Sequence, residues 1–307
     1  MPRMNELKEI ALETPWSTAA GIDSLTVHAL TEAYETEVLS FLEMRPLHTV
    51  YMAGFIRDNG LVSPLNRGAF YACRDEEGSL VGVSLIGHIV QLEVRSSAAL
   101  EAFAQLTQTC PFVHVVMGEK DRVERFWDYY AQEDEQNRQS LRFVCRELLM
   151  ERSWPVEATE GVPGLRRATL RDLPLVMPVQ AEMAFTECGI NPFDKDPFGF
   201  HQRYVERVER GRTWVVVEDG RLLFKAEVMA ETPKVVYLEG VYVGHDERSK
   251  GYGLRCMSEL GRKLLGRARS ICLLVNEQNL EAQAFYYKAG FKFRSYYDTI
   301  YLQQKNV

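Results

Sequence analysis

Residues 235–253, VVYLEGVYVGHDERSKGYG, narrow the range of folds more than any other part of the chain. Val235, Val236, Tyr237 and Leu238, then Val241, Tyr242 and Val243, form a β-branched and aromatic run that reads as a buried or half-buried strand. Gly244, His245, Asp246 and Glu247 close it as a polar turn. Arg248, Ser249, Lys250, Gly251, Tyr252 and Gly253 follow. After them Leu254, Met257, Leu260, Leu264 and Leu265 recur at the three- and four-residue spacings of a helix face. A strand, a basic glycine-bearing turn and a helix N-terminus together make an anion cradle. The first-turn N–H groups point outward, the macrodipole adds positive potential, and glycine lets a phosphate approach the backbone.

Two nucleotide-binding patterns are set aside. A Walker loop needs a Gly-Lys-Ser/Thr ending, which is missing here. A dinucleotide fingerprint needs three glycines early in a βαβ unit, and this turn has two and lies late in the chain. A second β-rich run, residues 270–275, leads through Asn276, Glu277, Gln278 and Asn279 into a helix over 280–289. Gly290 stops that helix and Phe291 begins another strand.

Arg248, Gly251 and Gly253, in the spacing R-x-x-G-x-G after a V-x-V strand, resemble the pyrophosphate loop of the GNAT superfamily of acyl-CoA-dependent N-acetyltransferases. Asn279, Ala282, Tyr286, Lys288, Gly290 and Phe291 resemble that family's second motif, in the same order. The resemblance implies acetyl-CoA as co-substrate. It implies that the backbone of Val241, Tyr242 and Val243 meets the pantetheine amides, and that Arg248, Ser249, Lys250, Gly251, Tyr252 and Gly253 meet the pyrophosphate. Asn276 and Asn279 are further candidates for the pantetheine arm, Asn279 being equally credible as a helix N-cap. Tyr286 aligns with the tyrosine that stands near the CoA sulfur in many family members and acts as the acid.

At 307 residues the chain suits two domains of about 150 residues rather than one. A net charge of −7 argues against bulk nucleic-acid binding. The six cysteines are scattered without C-x-x-C spacing, so reduced thiols and a cytoplasmic location are expected. His201 and His245 have no partner at i+4, so no metal site is expected. The chain shows neither a long apolar run nor a charged-then-apolar leader, so membrane insertion and export are not expected.

Patterning gives one α/β order twice: strand, two helices, three strands, helix, strand, helix, strand. In the first half these are 25–30, a helix capped by Thr31, 47–56, 68–73, 80–86, 89–94, 98–106, 112–117, 123–131 and 143–150. The second half runs through 165–168, 172–185, 199–209, 214–217 and 222–229 into the strand and cradle already described. It closes with 271–275, the Tyr286 helix and 297–302. A short helix around 4–12 precedes both. Patterning thus gives a repeated α/β (α+β) unit, and the resemblance implies the expected fold class: two tandem GNAT-like domains, each with a mixed, mostly antiparallel central sheet flanked by helices. The expected boundaries are 1–152 and 164–307, with a linker at 152–164 that carries Pro155, Glu157, Glu160, Gly161 and Pro163. Where a first cradle belongs, the chain reads Arg95, Ser96, Ser97, Ala98, Ala99, Leu100, without glycine, so the N-terminal half is expected to be degenerate and the C-terminal half catalytic.

Acetyl transfer to an amine needs a neutral amine, a polarised thioester carbonyl and a proton for the departing thiolate. Tyr286 suits the last role, because a phenol with a pKa of about 10 stays protonated at neutral pH. For the base, Glu239 shares a strand face with Tyr237, Val241 and Val243, and Glu227 on the neighbouring strand is its rival. Residues 191–196 read as a mobile loop at the acceptor site. The acceptor is an amine of a small molecule or a protein, and the sequence names neither it nor the acyl preference. Homodimerisation stays open, and so does a non-catalytic acyl-CoA sensor or partner-binding module.

Overall fold

The computed structural model describes residues 25–131, 140–154 and 161–303. The expected helix around 4–12 and the linker residues Pro155, Glu157 and Glu160 lie outside them. The chain divides into two compact units. The first takes residues 1–149 with 275–278 and 294–307, the second 150–274 with 279–293.

Hydrophobic alternation builds the first unit: β1 (Thr26–Ala29), α1 (Glu35–Leu42), α2 (Pro46–Asn59), β2 (Gly68–Arg74), β3 (Leu80–Gly87), β4 (Ile89–Val94), α3 (Ser97–Gln108), β5 (Val115–Glu119), α4 (Lys120–Ala131) and most of β6 (Leu141–Ser153). Its strand order is β1-β2-β3-β4-β5-β12-β6, where β12 is Lys292–Leu302. The two faces carry different helices. Ala72 and Phe70 pack with Val38, Leu42, Met52 and Ile56 of α1 and α2. Cys73, one residue along and therefore on the opposite face, packs with Phe103 of α3 and Phe126 of α4. Tyr130 belongs to that second cluster, and half-buried Trp127 packs against it.

The last strand was expected with the C-terminal half. Its residues from 294 onward count with the first unit because they form an antiparallel ladder on β5, from Tyr297 opposite Glu119 to Tyr301 opposite Val115. Ile300 and Leu302 are buried in the first unit's core. Thr31 precedes the first helical turn but makes no side-chain cap there. Glu32 works differently, reaching forward to accept from the N–H groups of Leu61 and Val62 at 3.3 and 2.8 Å.

The second unit holds β7 (Arg166–Arg167), α5 (Leu173–Cys188), α6 (Pro192–Lys195), α7 (Pro197–Glu209), β8 (Thr213–Glu218), β9 (Arg221–Glu231), β10 (Val235–Val243), α8 (Tyr252–Leu265), the start of β11 (Ser270–Asn276) and α9 (Leu280–Lys288). Its strands lie in the order β11-β10-β9-β8-β7. Val176 and Met177 of α5 and Phe200, Tyr204 and Val208 of α7 cover Val215 of β8. The expected loop at 191–196 is instead helix α6. Asn191 caps it through an Oδ1 acceptor 3.0 Å from the Phe193 N–H, and Asp196 caps α7 through the Gly199 N–H at 3.0 Å.

Phe126 is fully buried between β-sheet and α3 side chains, so Phe126→Ala removes a large apolar volume with little room to collapse. It is expected to lower unfolding free energy by about 3–5 kcal/mol, read as a drop in the urea midpoint of the full chain.

Candidate active site

Three breaks in regular pairing shape the middle of β10: its parallel ladder stops, and its register with β9 shifts first between Tyr237 and Leu238 and again after Glu239. Val235 to Leu238 pair in parallel with Ser270 to Leu273 of β11, and the ladder ends there. Glu239 to Val243 continue without that neighbour. Against β9 the pairing is antiparallel, and the register slips: Glu239 faces Glu227, but the next pair is Tyr242 with Lys225. Three steps on β10 oppose two on β9, which is a β-bulge, and a bulge leaves its extra residue outside the ladder. Gly240 occupies it at φ +57°. A Cβ at that position would stand 2.8 Å from Lys225 Nζ and 2.9 Å from Gln180 Oε1, so a larger residue would have to displace those side-chain ends and hold a strained positive φ.

The strand then delivers the chain to α8. Gly251 is the N-cap residue at φ +76° and offers no side chain to the first-turn N–H groups. Elsewhere Ser96, Asn191, Asp196 and Asn279 cap their helices with side-chain oxygens. A Cβ on Gly251 would meet no atom within 4 Å, so the glycine faces open space. Gly253 is different: a Cβ there would lie 2.8 Å from Val243 Cγ2 and 3.1 Å from Phe285 Cε2, which makes it a packing glycine between helix and strand. Arg248, Ser249 and Lys250 are exposed; Arg248 Nε donates to the Val243 carbonyl at 3.2 Å, and Lys250 lies 3.6 Å from Glu247. Ser249 adopts φ +59°. The turn thus presents uncapped N–H groups, two cations and an unobstructed approach, which fits a pyrophosphate.

Tyr252 carries a feature that the sequence did not signal. Its hydroxyl is buried and unpartnered among the described residues, and burial with the neighbouring Cys256 pushes its pKa up to about 12.

Glu239 is half-buried on the Glu227 side of β10. Desolvation raises its pKa; a hydrogen bond from Tyr237 and the charges of Arg207 and Lys225 oppose the rise, and Glu227 adds to it. Glu227, the rival base, is fully buried and saturated. Oε1 accepts from Tyr204 and, at 2.7 Å, from Lys225 Nζ; Oε2 accepts from Arg207. Although burial works against its ionisation, Lys225 and Arg207 outweigh it and hold the carboxyl down to about 2. A carboxylate so acidic and so enclosed takes up no proton at neutral pH. Lys225 Nζ also donates to Gln180 Oε1 at 2.6 Å. The sequence hint for this cluster was a lysine inside the apolar run Leu222, Leu223, Phe224, Lys225, Ala226.

Tyr286 of α9 is buried, its ring edge-on to Phe285 and Phe291 at 5.2 and 5.7 Å. Burial, reinforced by Glu187, raises its pKa and keeps the phenol protonated. Tyr287 is half exposed on a different face. The two asparagines part ways. Asn279 Oδ1 caps α9 through the Ala282 N–H at 3.0 Å. Asn276 falls in the segment counted with the first unit, where Oδ1 accepts from the Gln278 N–H at 2.7 Å and Nδ2 contacts Cys145 Sγ at 3.2 Å.

The first unit has the corresponding elements in another state. Its β4 keeps a regular register with β3, without a bulge, and Ser96 Oγ caps α3 through the Ala99 N–H at 3.2 Å. Where β4 and β5 part after Val90 and Val116, Glu93 and Glu119 take the guanidinium groups of Arg45 and Arg122, with Arg45 bonds of 3.0 and 2.7 Å. The cavity left among them is about 20 Å³, room for about one water.

Among the described residues no group of three or more His, Cys, Asp or Glu side chains is placed to hold a metal ion, and no helix is long and apolar enough to cross a membrane.

The acetyltransferase (GNAT) family model matches residues 180–291, which span the bulged strand, the cradle and α9, so the chain carries a GNAT acetyltransferase domain. No curated protein matches the chain. Among solved structures, the chain is similar to a GCN5-related N-acetyltransferase from Sphaerobacter thermophilus, at 15% identity and TM-score 0.59, over 94% of this chain and 98% of that one. It is similar to a GNAT-family acetyltransferase from Colwellia psychrerythraea, at 13% identity and TM-score 0.57, over 91% and 99%. A tandem GNAT protein from the clavulanic acid biosynthesis pathway aligns at 13% identity and TM-score 0.57, over 92% and 99%. At such identities these likenesses speak for the fold alone, over nearly the whole chain.

Glu227 is held below its ordinary value of 4.5, at about 2, so its contribution to stability is present above pH 4.5 and lost as pH falls toward 2. Glu227→Gln is expected to be less stable than the wild type at neutral pH and to show a flatter fall in urea midpoint across that acid window.

Proposed function

We propose that this protein is an N-acetyltransferase that moves the acetyl group of acetyl-CoA to an amine by direct transfer in a ternary complex, using the second unit. The observation that carries the reading is the bulged β10, free of its parallel neighbour beyond Leu238, running into a helix whose N-terminus has no side-chain cap. Arg248, Ser249, Lys250, Gly251, Tyr252 and Gly253 form the pyrophosphate cradle, with Gly253 setting the helix close to the strand. The backbone of Val241, Tyr242 and Val243 faces the gap where the β11 ladder has stopped, and offers N–H and C=O groups to the pantetheine amides.

Acetyl-CoA supplies an activated thioester; the chain supplies position and proton transfer. Glu239, a carboxylate with a raised pKa on the acceptor face, takes the proton from the incoming ammonium and leaves a nucleophilic amine. An N–H in the bulge around Val241 polarises the thioester carbonyl. Tyr286, protonated at neutral pH, donates to the departing thiolate. The acceptor is an amine of a small molecule or a protein. Asn279, occupied as a cap, and Asn276, occupied in its turn, have lesser roles in this scheme than the backbone of β10.

The first unit is read as the degenerate partner domain: its helix is self-capped, its strand unbulged, and its strand gap filled by Arg45, Glu93, Glu119 and Arg122. The six cysteines stand as thiols outside any disulfide, in keeping with a reducing, cytoplasmic setting.

Calorimetric titration with acetyl-CoA is expected to give one site per chain in the wild type and at least about tenfold weaker binding, 1.4 kcal/mol, in Gly251→Glu, where a carboxylate enters the phosphate position. Two wild-type sites would overturn the degenerate reading of the first unit, and none would leave a GNAT scaffold without its co-substrate. In an amine-acceptor screen, Glu239→Gln and Tyr286→Phe are each expected to lower kcat by about 10²–10⁴-fold with acetyl-CoA binding retained. Binding without turnover towards any amine would favour the acyl-CoA sensor.

A further inference from the structure

The proposed base does not stand alone. Glu239 on β10 and Glu227 on β9 are direct cross-strand partners, with side chains on one face and Cβ atoms roughly 5 Å apart in such a pair. Two carboxylates this close do not both ionise freely in a desolvated place, and a proton added to the pair has to choose between them.

The surroundings make that choice. Glu227 accepts from three donors, Tyr204 and Lys225 on one oxygen and Arg207 on the other. Lys225 is itself fully buried, its ammonium seated under the bare face of Gly240 and held by Gln180 of α5. The charged and titratable groups around Glu239 are Tyr237 on its own strand, Glu227 and Lys225 on β9, and Arg207 and Tyr204 on α7; Glu187, on α5, bears on Lys225 and Tyr286. Of the two carboxylates, Glu239 has the fewer donors and the greater exposure.

We propose that Glu227, locked in its charged form by Tyr204, Lys225 and Arg207, is a positioning residue that places the exchangeable proton of the facing carboxylate pair on Glu239. This rests on the reading of Glu239 as the base. The buried cation pair serves to keep one carboxylate permanently negative, and that fixed negative charge makes its neighbour the site of protonation. The bulge belongs to the same device, since Gly240 is the residue that lets the Lys225 ammonium sit directly beneath the reacting stretch of β10.

The experiment is a pH titration of the Glu239 carboxyl by ¹³C NMR in glutamate-labelled full-length protein, assigned with Glu239→Gln. It is run beside the pH profile of kcat/KM for whichever amine the screen yields. Glu227→Gln is expected to move the Glu239 midpoint, and the acidic limb of kcat/KM with it, down by about one pH unit. Arg207→Gln is expected to move both up, because it removes a cation and leaves Glu227 in place. A purely structural role would lower rates in both variants without opposite shifts. Because Glu227→Gln leaves buried Lys225 short of a partner, Lys225→Met/Glu227→Gln removes the pair as a unit, and its midpoint is also expected to fall. An unmoved midpoint in the double variant and in Arg207→Gln overturns the proposal. If the NMR midpoints shift as stated and no amine is acetylated, the carboxylate device stands and the transferase reading falls; if amines are acetylated and the midpoints stay put, the reverse holds.

Discussion

One extra residue in β10 sets the character of the second unit. An unbroken antiparallel ladder would satisfy every backbone group on the β9 side, and a continued parallel ladder would do the same toward β11. Instead the parallel pairing ends at Leu238 and the bulge follows within two residues. Backbone donors and acceptors freed in this way need partners, and in the proposed function an extended amide-bearing ligand would provide them in strand-like form. Gly240 permits the distortion, because its left-handed φ favours glycine, and its bare face lies over the buried Lys225.

Burial of Lys225 and Glu227 together is costly in isolation, and a hydrophobic pair in their place is often no less stable. Their presence is therefore better explained by what they do to nearby groups than by what they add to the fold. Tyr204 and Arg207 complete the hydrogen-bonding of Glu227 from α7, so the helix that packs on β8 through Phe200 and Val208 also carries the electrostatics. Packing and charge are delivered by one face of that helix, with Tyr204 serving both.

Much of the fold was legible in period and composition. The runs at 89–94 and 235–243 read as strands because β-branched residues crowd them, and α8 was readable from Leu254 through Leu265 at helical spacing. Gly251 and Gly253 stood out in the sequence between a strand and a helix, and only the structure separates the open face of Gly251 from the packing role of Gly253. The helix at 192–195 was missed because its prolines and short length look like a loop, and its caps, Asn191 and Asp196, are also turn residues. The ion cluster around Glu227 was illegible in outline: its donors come from residues 204, 207 and 225, and nothing in local sequence tells which helix will lie over which strand.

The last strand has a consequence for how the chain is made. Residues 294–302 complete the sheet of the first unit, on β5, although they are synthesised after the whole of the second. The first half leaves the ribosome with β5 lacking that neighbour, holding an exposed strand edge through the time taken to translate more than half the protein. Arg146 and Glu147 wait as long for Asp298 and Thr299, the side chains they bond in the finished sheet. Two units in a row along the chain are, as a folding problem, a loop closed only after the second has been made.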